Sequence, residues 1–245
     1  FHHALGAMHL MQKAISTLKN KGHEITSEEE QAVLIAILLH DVGHGPFSHA
    51  LEHSIVSGIN HENISMFIMD KLNEEFKGKL SLAIKIFRNE YSKAFLHQLI
   101  SSQLDVDRLD YLKRDSFYSG VSEGIINADR IISMLNISNG NLVVDAKAVY
   151  SIEKFIIARR LMYWQVYLHK TVLSAEFSLV EALKRAKSLV KNGVDIFSTS
   201  ALREFLQNNH SLENFNTNTK LLGLFCQLDD IDIMSSIKEW TQHPD

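Results

Sequence analysis

The sequence is poor in the residues that interrupt helices and in those that form disulfides. It contains two prolines and 11 glycines in 245 residues, and one of the prolines, Pro244, is next to the last residue. So few helix breakers permit long helices and disfavour a fold of many short strands and turns. A single cysteine, Cys226, excludes an internal disulfide framework and a metal site built from several cysteines.

Long apolar runs and an excess of basic charge are also missing. The longest apolar run, residues 32–39, is far shorter than the about 20 residues that span a bilayer. We find no signal-peptide pattern and therefore expect a cytoplasmic protein without a membrane segment. With 25 basic and 29 acidic side chains the formal charge is −4. This charge disfavours nucleic acid as the main partner.

Hydrophobic periodicity predicts an all-α fold. The run 32–39 predicts a helix that is buried on all sides. Thr26 or Ser27 is its expected cap, and Ser27 with Glu30 fits a capping box. The predicted helices cover residues 1–20, 27–41, 47–57, 61–75, 79–87, 91–102, 105–115 and 150–190, with two or three short ones in 194–245.

One stretch departs from the helical pattern. Residues 135–145 combine turn formers with the apolar triplet 142–144, which predicts a small β-hairpin. We therefore expect a helical core over residues 1–190, with this hairpin as an insertion, and a helical C-terminal extension over residues 191–245. The first residue is Phe1 rather than Met and no clear cap precedes Asp245. We expect both the core and the extension to be truncated.

Histidine is concentrated at the start of the chain. Nine of the 13 histidines fall within residues 1–61, and histidine is the commonest metal ligand and an acid–base group near neutral pH. At the end of the apolar helix, His40 and Asp41 place an imidazole beside a carboxylate, a pair that suits a divalent metal. The dipeptide alone fits equally well a histidine at a helix C-terminus followed by an aspartate that starts a turn.

Four segments, taken together, resemble a known family. They are Phe1-His2-His3-Ala4-Leu5-Gly6, the run from Leu39 to His49, Asn60-His61-Glu62 and the run from Asp105 to Asp115. In this order they resemble the HD-domain phosphohydrolase superfamily, and within it the deoxynucleoside triphosphate triphosphohydrolase (dGTPase-like) branch. The resemblance covers about residues 1–190 and implies an HD-domain helical core.

The resemblance implies a metal site and a set of catalytic side chains. The implied ligands of one divalent ion, which is Mg, Mn, Fe, Ni or Zn in different members, are His3, His40, Asp41 and Asp107. His49 matches the family's general acid, and His44 and His61 match histidines that contact the phosphates. Glu52 stands where the family has aspartate and can orient an imidazole.

Two helical stripes are candidates for substrate binding. Asp107, Tyr111 and Asp115 recur every fourth residue and therefore share one helix face. The resemblance matches Tyr111 and Asp115 to deoxyribose recognition and Arg108 to phosphate binding. Asp110 and Arg114 instead fit an ordinary salt bridge one helical turn apart.

The second stripe lies on the predicted helix 150–190 and consists of Arg159, Tyr163, Tyr167 and Lys170. Basic and aromatic side chains on one face suit a triphosphate with its sugar or base. The resemblance supports Arg159, Tyr167 and Lys170. The alternative is that the basic side chains cover a core helix with their aliphatic stems, and for Tyr163 and Lys170 the two interpretations remain open.

The expected activity is metal-dependent hydrolysis of dNTPs to a deoxynucleoside and inorganic triphosphate, as the resemblance implies. The alternatives are another HD-type nucleotide phosphohydrolase, such as a 5′-nucleotidase or a phosphodiesterase, and a nucleotide-binding regulator. The resemblance also implies a homo-oligomer and an activator nucleotide as possible partners.

Overall fold

Helices make up most of the structure, a computed structural model that describes residues 1–47, 54, 56 and 58–244. Within these residues a single antiparallel hairpin is the only sheet, so the predicted all-α fold with a hairpin insertion is confirmed. The strands are β1 (Leu135–Ser138) and β2 (Asn141–Val144), and Leu135 pairs with Val144. None of the helices in this part of the chain is long and apolar enough to cross a membrane.

The helices of the described residues follow one another with short connections. They are α1 (His2–Asn20), α2 (Ser27–Leu39), α3 (His61–Glu75), α4 (Ser81–Phe87), α5 (Ala94–Ile100), α6 (Val106–Ser119), α7 (Ala128–Ser133), α8 (Val149–Met162), α9 (Lys170–Lys191), α10 (Ser200–Gln207), α11 (Leu212–Thr217), α12 (Thr219–Phe225) and α13 (Asp230–Trp240). The predicted helix over 47–57 falls largely on residues outside the described ones.

The chain forms two compact units. The first unit contains residues 1–40 and 69–169, and the second contains residues 41–68 and 170–245. In the first unit, Met11 and Ile15 of α1 are fully buried together with Val33 and Ile37 of α2. These two units are defined by which residues pack together. The predicted division into a core over residues 1–190 and an extension over residues 191–245 was instead based on sequence motifs, and it stays a prediction.

The core of the second unit is aromatic. Phe205, Phe215 and Phe225, from α10, α11 and α12, meet with ring centroids 5.8 to 6.2 Å apart. Such tilted and offset ring pairs add stability beyond the area they bury. The described residues after α9 form four helices, more than the two or three predicted, because side-chain caps at Thr199, Ser211, Asn218 and Asp229 divide them into short segments.

The capping box of α2 lies one residue earlier than predicted. The Thr26 hydroxyl accepts from the Glu29 backbone N–H, and the Glu29 carboxylate accepts from the Thr26 N–H. Ser27 and Glu30 therefore do not form the box. The shift follows from the environment of Glu29, which is buried and also accepts hydrogen bonds from Tyr91 and Lys93.

The predicted continuous helix over 150–190 is wrong. Helix α8 ends at Met162, a π-helical turn spans Tyr163–Tyr167, and α9 begins at Lys170. The Leu168 N–H donates to the Tyr163 carbonyl at 2.7 Å, a bond that spans five residues and widens the turn. Hydrophobic periodicity missed this break because neither glycine nor proline marks it, and π-turns are frequent at functional sites.

Candidate metal and nucleotide site

Two imidazoles and two carboxylates converge where α1, α2 and α6 meet. His3 lies in the first turn of α1, His40 directly follows α2, Asp41 is the next residue, and Asp107 lies in the first turn of α6. Each of the four offers a ligand atom, and these atoms lie within 4.8 Å of one another. The structure thus brings together all four residues that the resemblance implies as metal ligands.

Both imidazoles are fixed through their Nδ1 atoms. The His40 Nδ1 is 2.7 Å from the Ile37 carbonyl oxygen, and the His3 Nδ1 is 2.7 Å from Oδ2 of Asp110. Because a carbonyl and a carboxylate only accept, each Nδ1 carries the hydrogen, and each Nε2 is left with a lone pair. Those Nε2 atoms lie 3.1 Å (His3) and 3.5 Å (His40) from Oδ1 of Asp107.

This arrangement fits a divalent cation. Two nitrogen lone pairs and a carboxylate oxygen that face one another repel unless a positive charge lies between them. Histidine ligands in proteins typically donate their other ring N–H to a carboxylate or carbonyl, as both do here.

Sequence reasoning missed the contact of Asp110 with this group. Asp110 was expected to pair only with Arg114, and that two-point ion pair is present, at 2.8 and 2.9 Å. The same carboxylate also accepts from His3. The signal was Gly6: a Cβ at this position would lie 2.0 Å from Oδ1 of Asp110. A glycine inside a helix, one turn after His3, therefore marks the space that Asp110 occupies.

The second unit contains a histidine group of its own. Asp41, His44 and His61 offer donor atoms within 4.8 Å of one another, and the two imidazole rings stack with centroids 4.0 Å apart. Gly43 allows this approach, because a Cβ there would lie 2.3 Å from the His61 carbonyl oxygen. The Gly43 N–H donates to the Ser65 hydroxyl at 2.9 Å. The glycine of the HD motif thus holds the residues after α2 against the start of α3.

Three tyrosines and a carboxylate form an aromatic group in the first unit. The Tyr167 hydroxyl donates to Asp115 at 2.6 Å. The Tyr167 ring meets those of Tyr111 and Tyr163 edge-on, with centroids 6.2 and 5.2 Å away. Burial and the nearby Asp115 raise the pKa of Tyr167 above its ordinary value. Burial also raises the pKa of Tyr111 to about 12, so both phenols stay protonated as hydrogen-bond donors.

The two arginines expected to bind phosphate differ in their surroundings. The Arg108 guanidinium pairs with the fully buried carboxylate of Asp105, which also caps α6. Burial raises the pKa of that carboxyl to about 6. The Arg159 guanidinium lies 5.8 Å from the centre of the Tyr163 ring and donates to Gln103 at 3.4 Å. The positive charge of Arg159 is thus less neutralised by its neighbours than that of Arg108.

Three further predicted site residues remain to be considered. His49 and Glu52 lie outside the described residues. Lys170 begins α9 and belongs to the second unit, whereas Arg159, Tyr163 and Tyr167 belong to the first. Their predicted common face assumed one straight helix, and the π-helical turn removes that assumption. The roles of His49, Glu52 and Lys170 stay predictions.

Comparison with known proteins agrees with this geometry. Residues 1–115 match the HD domain, and residues 126–205 match the HD-associated region. A solved structure of a phosphohydrolase, BT4208 from Bacteroides thetaiotaomicron, superimposes with a TM-score of 0.97 at 55% identity, over 100% of this chain and 62% of that one. The chain therefore belongs to the HD-domain phosphohydrolase superfamily.

Two relatives are similar over most of this chain. The uncharacterized protein YwfO of Bacillus subtilis (strain 168) is 34% identical over 79% of this chain and 46% of its own length. The deoxynucleoside triphosphate triphosphohydrolase SAMHD1 homolog of Dictyostelium discoideum is 30% identical over 78% of this chain and 41% of its own. The chain thus spans about half the length of the curated relatives it matches.

Proposed function

We propose that this chain is the core of a metal-dependent phosphohydrolase that converts dNTPs to deoxynucleosides and inorganic triphosphate. One observation carries the proposal: two imidazoles fixed by their Nδ1–H groups direct their Nε2 atoms at one oxygen of Asp107. Two histidines and two carboxylates leave positions open for water and a phosphate oxygen, which a hydrolytic metal site requires.

The residues that would hold the metal are His3, His40, Asp41 and Asp107. When bound there, a divalent cation supplies a Lewis acid that neutralises phosphate charge and lowers the pKa of a water molecule. The chain's own contribution is rigidity. Asp110 holds the His3 ring and the Ile37 carbonyl holds the His40 ring, so both nitrogens are oriented before substrate arrives.

The aromatic group of the first unit supports a nucleoside as substrate. Its tyrosine rings offer an apolar surface to a sugar, and Asp115 retains acceptor capacity for a sugar hydroxyl while one oxygen accepts from Tyr167. Arg159 adds a positive charge beside Tyr163 that suits a phosphate. The Dictyostelium discoideum relative is named as a deoxynucleoside triphosphate triphosphohydrolase homolog, which supports dNTPs as the nucleotide class.

The histidines of the second unit suit proton transfer and phosphate binding. A leaving 5′ oxygen needs a proton, and imidazoles supply protons near neutral pH. His44 and His61 are our candidates for phosphate contact, His49 for the general acid, and Glu52 for orienting an imidazole. A homo-oligomer, an activator nucleotide and a cytoplasmic location remain predictions.

The test is product analysis. The purified chain is incubated with each dNTP and Mn²⁺ or Mg²⁺, and the phosphates are separated chromatographically. Inorganic triphosphate together with free deoxynucleoside is the expected result, and Asp107→Asn is the matched inactive control. Pyrophosphate or orthophosphate as the product, or hydrolysis confined to nucleoside monophosphates or cyclic nucleotides, would assign the chain to another HD-type activity.

Binding without turnover is the remaining outcome. If nucleotide binds and the metal is present, but no phosphate is released even with an added second nucleotide, the chain would be a nucleotide-binding regulator. Equilibrium binding of a labelled dNTP, measured beside the hydrolysis assay, separates that outcome from a failure to bind.

A further inference from the structure

Asp105 is a buried carboxylate of the first unit that belongs to neither the metal group nor the aromatic group. Its side chain is fully buried at the start of α6. Oδ1 accepts from the Arg108 N–H at 2.8 Å and thereby caps the helix. Oδ2 accepts from the Ser102 N–H at 2.7 Å and from Nη1 of the Arg108 guanidinium. Both oxygens are therefore used, but the cap needs only the first.

Helix capping alone does not require a carboxylate at this position. Asparagine and serine cap helices as well as aspartate does, and neither brings a charge into the interior. A fully buried carboxylate is unfavourable unless a cation compensates it. Here that cation is the Arg108 guanidinium, so the charge of Asp105 is best explained by its effect on Arg108.

Arg108 depends on a neighbouring anion to stay where it is. It lies in the first turn of α6, where the positive end of the helix dipole disfavours a cation. A free arginine side chain also samples many rotamers, which a ligand would have to freeze on binding. The Asp105 carboxylate offsets both effects, since it accepts from the backbone N–H and from the side chain of the same arginine. The guanidinium is thus held in place before any ligand arrives.

The held guanidinium keeps most of its donors for another group. One of its five N–H donors is used by Asp105, and among the described residues its Nε is buried without a hydrogen-bond partner. Unpaired donors in a largely buried group are unfavourable. The Arg108 side chain is still 24% exposed, so an anion can reach it. This is the pattern of an arginine whose remaining partner is a ligand.

Arg108 lies beside residues of both candidate groups. It directly follows Asp107 and precedes Tyr111 by about one turn of α6. Burial raises the pKa of Tyr111, and the positive charges of Arg108 and Arg159 act against that rise, so both guanidinium groups are close to the Tyr111 ring. A nucleotide with its sugar on the tyrosines and a phosphate near Asp107 would bring its phosphate chain to Arg108.

We propose that Asp105 is a positioning residue that holds the Arg108 guanidinium in place for a phosphate of the nucleotide. Asp105 acts through Arg108 and does not touch the ligand itself. The proposal rests on the proposed function for its choice of ligand, but it requires no hydrolytic step. Removing the charge of Asp105 should therefore weaken phosphate binding only while Arg108 is present.

The test measures binding rather than turnover. Equilibrium binding of labelled dNTPs and of the matching deoxynucleosides to the metal-loaded chain is measured by rapid filtration, together with metal content. Asp105→Asn retains a capping oxygen but loses the charge, and it should weaken dNTP binding about tenfold, the scale of one hydrogen bond to a charged group. Deoxynucleoside binding and metal content should stay unchanged, which a general loosening of α6 would not allow.

A cycle of substitutions shows whether Asp105 acts through Arg108. Arg108→Gln should weaken dNTP binding at least as much as Asp105→Asn does. Adding Asp105→Asn to Arg108→Gln should cause no further loss, because the group that Asp105 positions is already gone, whereas independent effects would add. Asp105→Ser, which also retains a capping oxygen, replaces the asparagine variant if that variant does not fold.

Asp229→Asn is the matched control. The Asp229 side chain caps α13 by accepting from the backbone N–H groups of Ile231 and Asp232. Within the described residues it forms no ion pair with a basic side chain. The same substitution at this second cap should therefore leave dNTP binding unchanged.

Four results would overturn the proposal. They are unchanged or tighter dNTP binding after loss of the Asp105 charge, unchanged dNTP binding in Arg108→Gln, additive losses in the double variant, and a loss of metal or of deoxynucleoside binding alongside that of dNTPs. A chain that binds no dNTP at all would overturn it as well. A chain that shows the expected cycle but hydrolyses no dNTP would support this proposal and contradict the proposed function, so the two failures are distinguishable.

Discussion

In the first unit the imidazoles of His3 and His40 are each held by a 2.7 Å contact of Nδ1. In the second unit the Nδ1 of His44 lies 3.2 Å from the Asp41 carbonyl oxygen, and the His44 ring also stacks face against face on that of His61. His3 and His40 each donate to an oxygen that belongs to a helix of the same unit. Between His44 and His61 the contact is between rings, with centroids 4.0 Å apart. A ring held by one nitrogen presents the other in a constant direction, which is what a metal ligand needs.

Stacking imposes a different constraint. Two rings that stack 19° from parallel, with centroids 4.0 Å apart, direct their nitrogen lone pairs within two nearly parallel planes. Lone pairs in this arrangement suit separate contacts to phosphate oxygens better than they suit a second tightly held metal. We therefore expect variants of the two groups to have different phenotypes, and the predictions below test that difference in order of decreasing effect.

The largest effect is expected for Asp107→Asn. This change removes the negative charge of the carboxylate on which both Nε2 atoms converge, while it preserves the shape of the side chain. Bound metal should fall far below one equivalent, and dNTP hydrolysis should fall about 10³-fold or more, since a metal contributes several kcal/mol to the transition state. Inductively coupled plasma mass spectrometry and the phosphate assay measure the two losses.

Asp129→Asn is the matched control for that variant. Its carboxylate is exposed and pairs with Lys13 away from the cluster, so metal content and activity should stay unchanged. Full metal occupancy in Asp107→Asn would show that the convergence on this oxygen is not a metal site.

His61→Ala should separate the two groups. Metal content should stay near that of the unmodified chain, whereas turnover should slow about 10²-fold, as is typical when an acid–base or phosphate-contacting group is lost. Metal analysis and initial rates on the same protein sample give both numbers. Loss of metal together with activity would mean that the stacked pair is part of the metal site, and the distinction drawn here would be wrong.

Asp110→Asn is expected to have an intermediate effect. The amide cannot hold the His3 Nδ1–H as strongly as the carboxylate does, so metal affinity should drop about 10- to 100-fold. Arg114→Gln is the control, because it removes the ion pair with Asp110 but leaves the hydrogen bond to His3. Metal titration at a temperature far below unfolding should weaken for Asp110→Asn and change much less for Arg114→Gln. An equal loss of metal affinity in both variants would mean that the effect comes from lower protein stability rather than from the His3 hydrogen bond.

The family resemblance implied a group of four candidate ligands but not the residues that orient them. His3, His40, Asp41 and Asp107 offer ligand atoms that lie within 4.8 Å of one another in the structure, and their role as metal ligands stays a prediction. The Asp110 contact to His3 joins residues 107 positions apart, so no local pattern reveals it. The one sequence feature related to this contact is Gly6, and only the structure shows that a larger residue there would collide with Asp110.

The same limit explains the other differences. The capping box forms at Thr26 rather than at Ser27 because the Glu29 carboxylate also accepts hydrogen bonds from Tyr91 and Lys93, which lie more than 60 residues further along the chain. The break after Met162 depends on a π-helical turn that brings Tyr167 to Asp115, again a distant contact. Periodicity and capping rules identify where helices exist, but tertiary contacts decide their ends.

Glu29→Gln should have the smallest effect, and on stability only. Glu29 is a buried carboxylate of the first unit that accepts from the Thr26 N–H, Tyr91 and Lys93, but it has no histidine partner. Losing its charge should lower the free energy of unfolding by about 1.5 kcal/mol, with metal content and activity unchanged. Glu30→Gln removes only a half-exposed pair with Lys19 and should cost about 0.5 kcal/mol.

The pH dependence sharpens this last prediction. Burial opposes ionisation of Glu29, but its hydrogen bonds and the Lys93 charge outweigh burial and hold its pKa below the ordinary value. Its contribution is therefore complete above the unfolded-state pKa of about 4.3 and is lost as the pH falls through the lower folded-state value. Urea unfolding between neutral and acidic pH should show the unmodified chain losing its advantage over Glu29→Gln on acidification. A constant difference at all pH values would contradict a charge-based role.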